Sequence, residues 1–205
     1  MERPGHPLAP PSVNAPATVR SRRPWLTLAV VAAAAVIQAS PALGRGLIFE
    51  RAAILHGEAW RLWTGNLVHF GGSHLLWNLV VFGAAGVWAE RTAPGKTRGF
   101  IALAPGLIGI VLLLGAPSLQ WYAGLSGLAA GMLVLLALEQ LAGSRGDRWF
   151  WWTVLGLVAA KIGFETVAGQ ALFARFGETG VRVAPLSHVA GVAGAVVAHV
   201  CPRRI

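Results

Sequence analysis

Ser126 and His188 are the two residues whose types most directly suggest chemistry. Ser126 lies in the sequence Gly124-Leu125-Ser126-Gly127, and His188 lies three residues after Pro185. A serine hydroxyl is a weak nucleophile until a base within hydrogen-bonding distance activates it. A neutral imidazole can take the hydroxyl proton and later give it to a leaving amine. The pair therefore predicts acyl-transfer chemistry, provided that the fold brings the two segments together.

His74 and Asn78 are the candidate partners of this pair. They are four residues apart and hence share one face of a helix. The tetrahedral intermediate of acyl transfer needs hydrogen-bond donors for its oxyanion. We expect His74, Asn78 and the backbone N–H of Ser126 to supply them. Taken alone, His74 or Asn78 could simply form a hydrogen bond that joins two helices. The Gly-Leu-Ser-Gly sequence by itself is weak evidence for a catalytic serine, because the chain has 26 glycines.

The segments that carry these residues are apolar and long. The chain has 205 residues, of which 55% are hydrophobic and 12% charged, too apolar for an ordinary soluble domain. Residues 1–20 predict a disordered cytoplasmic tail. Residues 21–205 predict one all-α membrane domain, a bundle of six transmembrane helices at about 25–43, 74–89, 99–115, 122–141, 149–169 and 185–201. The first segment also resembles a secretory signal peptide; a retained helix and a cleaved signal both export the stretch 44–73.

The positive charges predict the orientation of these helices. With the N-terminus in the cytoplasm, eleven Lys and Arg residues are cytoplasmic, five are outside, and Lys161 lies within the fifth helix. This asymmetry follows the positive-inside rule. Helices two, four and six then run inward from the outer face and carry the candidate residues at a similar depth, where polar groups indicate function. Small residues should let helices four and six approach closely, namely Gly127, Gly131, Gly191, Gly194, Ala195 and Ala198.

Four motifs, in order, resemble those of the rhomboid family of intramembrane serine proteases. They are Trp60-Arg61, His69-x4-His74-x3-Asn78, Gly124-Leu125-Ser126-Gly127 and His188-x2-Gly191. The resemblance covers about residues 45–200. It implies a six-helix bundle with a water-filled cavity open to the outer side, with Ser126 as nucleophile and His188 as base. It also implies an oxyanion site around Ser126, His74 and Asn78, single-pass membrane proteins as substrates, and no cofactor.

The compact size of the chain is similar to that of the bacterial rhombosortase subfamily. That likeness implies substrates with a C-terminal Gly-Gly motif, an apolar helix and a basic tail. It also implies an integral protein of the bacterial inner (cytoplasmic) membrane, with both termini in the cytoplasm and the active site opening outward.

Acidic residues are scarce in the predicted membrane domain. Asp147 is the only Asp in the chain, which excludes a paired-aspartate protease. The acids predicted to lie within the membrane or on its outer side are Glu50, Glu58, Glu165 and Glu178. None of them has an obvious place as a third catalytic residue, so the sequence predicts a Ser–His dyad. Lys161 and Glu165 share a face of helix five and predict an ion pair. The alternative is that Glu165 positions substrate at a gate formed by helix five.

Other functions fit the sequence less well. The single cysteine, the absence of H-E-x-x-H and the unsuitable spacing of His69 and His74 argue against a metal site. The net charge of +9 is scattered over loops and termini, which does not indicate nucleic-acid binding. A non-catalytic rhomboid-like protein that chaperones membrane clients would be expected to lack Ser126 or His188. A small transporter, with Lys161 and Glu165 on the permeation path, would be expected to show an inverted repeat.

Overall fold

The computed structural model describes residues 23–143, 147–169 and 184–201; the predicted tail 1–20 lies outside these ranges. Two short strands, β1 (Phe49–Glu50) and β2 (Trp121–Tyr122), pair antiparallel, and a 3-10 turn spans Gly65–Leu67. The rest is mainly helical. The helices are α1 (Trp25–Ala39), α2 (Pro41–Leu47), α3 (Arg51–Leu55), α4 (Arg61–Thr64), α5 (Gly72–Thr92), α6 (Pro94–Gly115), α7 (Ser126–Gly143), α8 (Arg148–Ala168) and α9 (Pro185–Val200).

Four helices, α5 to α8, are long and apolar enough to cross a membrane. A fifth crossing is possible if α1 and α2, which meet at a bend of 114°, are taken as one span. Helix α9 is apolar but shorter, at 16 residues. These helices confirm an all-α integral membrane protein. Each of the six apolar segments predicted from the sequence overlaps one of the helices α1 and α5 to α9.

Three of the predicted boundaries differ from the structure by four residues or more. One is the start of the third segment, predicted over 99–115, because α6 begins at Pro94. The first segment, predicted as one helix over 25–43, breaks at Ser40 because Pro41 has no N–H to continue the hydrogen-bond ladder and instead occupies the first turn of α2. The fourth, predicted over 122–141, begins only at Ser126. Tyr122 pairs with Phe49 in the small sheet, and Gly124 has a positive φ of 130° that ends the extended segment.

Helix α1 packs against α5 as part of the bundle. Thr27 is fully buried, and its methyl and hydroxyl groups occupy the space beside Gly86. The carboxylate of Glu90 accepts hydrogen bonds from the Leu26 and Thr27 backbone N–H groups, at 3.1 and 2.9 Å, and from the Thr27 hydroxyl at 2.9 Å. An acidic group at a helix N-terminus stabilises the otherwise unpaired N–H groups there.

Two arginines hold the stretch between α1 and α5 in place. Arg61 is buried, donates to the carbonyl oxygens of Arg45 and Ile48 at 3.0 and 2.9 Å, and pairs with Glu58 at 2.6 Å. Arg51 donates to carbonyl oxygens at and beyond the C-terminal end of α6, those of Leu113, Ala116 and Leu119. These carbonyls have no partner within a helix. Arg51 and Arg61, counted among the charges that predict orientation, therefore also fix this stretch.

Helix α7 lies at the centre of the bundle and packs most extensively on α9. A Cβ atom on Gly191 would overlap the carbonyl oxygen of Gly127, and one on Gly131 would overlap the carbonyl oxygen of Gly191. The backbones of α7 and α9 are therefore in direct contact. This confirms the close approach of the two helices that small residues predict.

Replacing Gly191 with Ala tests this contact. The new methyl group has no space, so the helices must separate. We expect the variant to be destabilised by about 3 kcal/mol and its unfolding midpoint in detergent to fall by roughly 6–12 °C. Gly156→Ala on α8 is the matched control, because nothing lies within 4 Å of its added Cβ. Equal midpoints for the two variants would contradict the contact.

Candidate active site

Ser126 is the first residue of α7 and is half-buried. The strand β2 and the positive φ of Gly124 turn the chain immediately before it. The Tyr122 hydroxyl, which donates to the Gly124 carbonyl oxygen at 2.9 Å, also lies within hydrogen-bonding range of the Ser126 and Ser187 side chains. Ser126 therefore lies at the start of a helix, close to the polar side chain of Tyr122.

His188 lies in the first turn of α9, whose first residue is Pro185. Its side chain is only 3% exposed, and its Nε2 atom has no hydrogen-bond partner among the described residues. A Cβ atom on Gly127 would lie 2.7 Å from the carbonyl oxygen of Ser187. The residues next to Ser126 and His188 are therefore in contact, and the fold brings the starts of α7 and α9 together as the sequence predicts.

His74 and Asn78 are buried on one face of α5. That face lies against the turn before Ser126, since a Cβ atom on Gly124 would be 2.7 Å from the Nε2 atom of His74 and 3.6 Å from the Nδ2 atom of Asn78. The Asn78 Nδ2 atom is buried without a hydrogen-bond partner in the described part of the chain. The candidate oxyanion donors are thus grouped around the loop that carries Ser126.

His69 supports this loop, a role that the sequence did not reveal. Its Nε2 atom accepts from the Leu125 N–H at 3.3 Å, and its Nδ1 atom lies 3.2 Å from the Leu67 carbonyl oxygen. Burial, with a smaller contribution from nearby His74, lowers the pKa of His69 from 6.5 to about 3. At neutral pH the ring is therefore uncharged, with Nδ1 donating and Nε2 accepting. The feature of the sequence that could have indicated this role is the place of His69 in the H-x4-H-x3-N motif.

Tyr122 is a second neighbour of Ser126 whose role the sequence analysis missed. Burial raises the pKa of its phenol to about 12, although hydrogen bonds to Ser187, Ser126 and the Gly127 backbone act in the opposite direction. The hydroxyl therefore stays protonated at neutral pH. Its position four residues before Ser126 did not identify it, because the contact depends on the turn at Gly124.

Glu165 corrects the prediction that no acid has a place near the dyad. Its side chain is 2% exposed, and its Oε2 atom lies 3.2 Å from the Nδ1 atom of His188. The same oxygen is 2.6 Å from the Lys161 Nζ atom, which confirms the predicted ion pair. Because Glu165 is buried against His188, these contacts do not favour the alternative role at an exposed substrate gate. Of the other acids considered, Glu50 and Glu58 lie at Arg61, and Glu178 lies outside the described residues.

Comparison with known protein families identifies a rhomboid domain in this chain. The model of the rhomboid domain matches residues 56–204, a range that includes every residue of this site. A search of curated proteins finds no significant match. Because the domain covers well over half of the 205 residues, the chain belongs to the rhomboid family of intramembrane serine proteases.

Proposed function

We propose that this protein is an intramembrane serine endopeptidase in which Ser126 is the nucleophile and His188 the general base. The observation that carries the proposal is the direct contact between the first turns of α7 and α9, where Gly127 meets Ser187 within a rhomboid domain. A serine and a histidine on such facing helix starts form the nucleophile–base arrangement that acyl transfer requires.

The reaction proceeds in two halves. The Nε2 atom of His188 takes the proton of Ser126 as Oγ attacks the carbonyl carbon of the scissile peptide bond. The imidazolium then donates this proton to the leaving amine, and a water molecule hydrolyses the acyl-enzyme by the same route. The Tyr122 hydroxyl also lies close to Ser126, so the Ser126 hydroxyl must be directed to His188 for the attack. The unpartnered Nε2 atom leaves His188 available to accept its proton.

The oxyanion of the tetrahedral intermediate is stabilised by His74, Asn78 and the backbone N–H of Ser126. The buried, unpartnered Nδ2 atom of Asn78 supports this role, because an amide donor that is already oriented needs little reorganisation in the transition state. The closeness of Gly124 to both side chains supports it as well. Any larger residue at position 124 would fill the space between the nucleophile loop and these donors.

The membrane arrangement belongs to the same proposal. Helix α1 with α2, and the helices α5 to α9, make six crossings, with both termini in the cytoplasm of a bacterial inner membrane and the active site opening outward. The packing of α1 on α5 supports a retained first helix. The substrates are single-pass membrane proteins cleaved near the outer face, and their class is that of rhombosortases, with a Gly-Gly motif before the apolar helix.

The test is labelling of the purified protein with a fluorophosphonate probe, followed by peptide mapping and cleavage of a single-pass reporter. We expect the adduct on Ser126 and cleavage of a reporter that carries Gly-Gly, an apolar helix and a basic tail. A matched reporter with Leu-Leu in place of Gly-Gly tests the subfamily, and equal cleavage of both would contradict it. A protein that binds the reporter but neither labels nor cleaves is a non-catalytic client-binding rhomboid, and the protease proposal then fails.

A further inference from the structure

Glu165 is a buried carboxylate in a membrane-spanning helix, where an ionisable group is unfavourable unless it is paired. It lies near the outer end of α8, one turn beyond Lys161. Its Oε2 atom is 2.6 Å from Lys161 Nζ and 3.2 Å from His188 Nδ1. One carboxylate oxygen therefore contacts both the lysine of its own helix and the imidazole of α9.

The two contacts differ in burial. The Lys161 side chain is 27% exposed, whereas those of Glu165 and His188 are 2% and 3% exposed. A carboxylate that served only to neutralise Lys161 could do so with its side chain directed outward along the helix surface, toward the exposed amine. Here it is directed inward, to His188. The orientation of Glu165 is thus explained by the imidazole as well as by the lysine.

A carboxylate beside Nδ1 has a defined effect on an imidazole. It favours the tautomer in which Nδ1 carries the proton, which leaves the lone pair on Nε2. In a Ser–His–Asp site, the acid holds the ring in that tautomer and stabilises the imidazolium without accepting its proton. The Nε2 atom of His188 is the one that must accept the Ser126 proton, and it is unpartnered among the described residues.

The separation of 3.2 Å is short enough for an ion pair, but the angle at His188 does not satisfy a hydrogen bond in this resting state. Contacts at an active site often tighten only when substrate is bound. The charge of Glu165 acts on His188 in either geometry, because electrostatic attraction does not depend on the angle.

We propose that Glu165 is a positioning residue for His188, so that the site works as a Ser126–His188–Glu165 triad and not as an isolated dyad. The inference rests on the proposed function, since it assigns Glu165 a role through the base of that reaction. Throughout the cycle the proton moves between Ser126 Oγ, His188 Nε2 and the leaving amine, and Glu165 keeps its negative charge. The Lys161 Nζ atom lies 2.6 Å from the same Oε2 atom of Glu165.

The test compares Glu165→Gln with the double variant Lys161→Met/Glu165→Gln. We expect Glu165→Gln to lower kcat on the reporter between about 10²- and 10⁴-fold with little change in KM, since exchanging a triad carboxylate for an amide lowers kcat about 10⁴-fold. If Glu165 only balances the charge of Lys161, removing both charges restores activity. If it positions His188, the double variant remains as impaired as Glu165→Gln. The double variant carries no unpaired charge, so it also remains informative if Glu165→Gln alone fails to fold.

The outcomes separate the two proposals. A wild-type protein that does not label on Ser126 overturns the proposed function, and this inference with it. Normal wild-type labelling, combined with wild-type kcat in Glu165→Gln or restored activity in the double variant, overturns the role of Glu165 alone.

Discussion

Replacing Ser126 with Ala should abolish cleavage of the single-pass reporter. The change removes one oxygen atom at the first residue of α7 and leaves the Gly127–Ser187 contact between α7 and α9 in place. In serine hydrolases, loss of the nucleophile lowers kcat on the order of 10⁶-fold. We therefore expect cleavage of the reporter to fall by about that factor, while the unfolding midpoint stays within a few degrees of that of the wild type. Quantitative mass spectrometry of the reporter fragments measures the loss.

Ser187→Ala is the matched control. Ser187 is a buried serine that is also near the Tyr122 hydroxyl, but its own hydroxyl donates to the Ala184 carbonyl oxygen at 2.7 Å, at the start of α9. Losing that bond should reduce stability by about 1 kcal/mol and leave most of the activity. If Ser126→Ala cleaves as well as Ser187→Ala does, Ser126 is not the nucleophile and the protease mechanism proposed here is wrong.

The sequence predicted a grouping of residues that follows from the order of the helices. Ser126, His188, His74 and Asn78 lie within the first two turns of α7, α9 and α5, and the structure brings these helix starts together. Alternate helices of an up-and-down bundle run in the same direction, so their first turns lie at the same end. The close approach of α7 and α9 was also predictable, because glycines leave no other side chain between the two backbones.

The sequence could not predict contacts that depend on the relative rotation of helices or on the shape of loops. Glu165 and Lys161 share a helical face, but only the packing of α8 beside α9 decides whether that face meets His188. Tyr122 and His69 reach the loop of Ser126 because the chain turns at Gly124. The break at Ser40 was missed because an apolar run satisfies a hydropathy criterion even where Pro41 interrupts the helix.

Replacing His188 with Asn should have the next largest effect. The amide of Asn fits the space of the ring but cannot accept a proton from Ser126 at neutral pH. Loss of the base in a serine hydrolase costs about as much as loss of the nucleophile, so we expect kcat to fall on the order of 10⁴- to 10⁶-fold. Labelling by the fluorophosphonate should slow in parallel, because that reaction also needs an activated serine. Stopped time courses of labelling, resolved by gel fluorescence, measure this rate.

His199→Asn is the control for His188→Asn, because His199 lies on the same helix and its Nδ1 atom contacts Glu139 at 2.5 Å, at the end of α9 away from Ser126. It should label at nearly the wild-type rate. The double variant Ser126→Ala/His188→Asn should be no less active than either single variant, since two groups that act as one unit are not additive. Unchanged labelling in His188→Asn would show that another group activates Ser126.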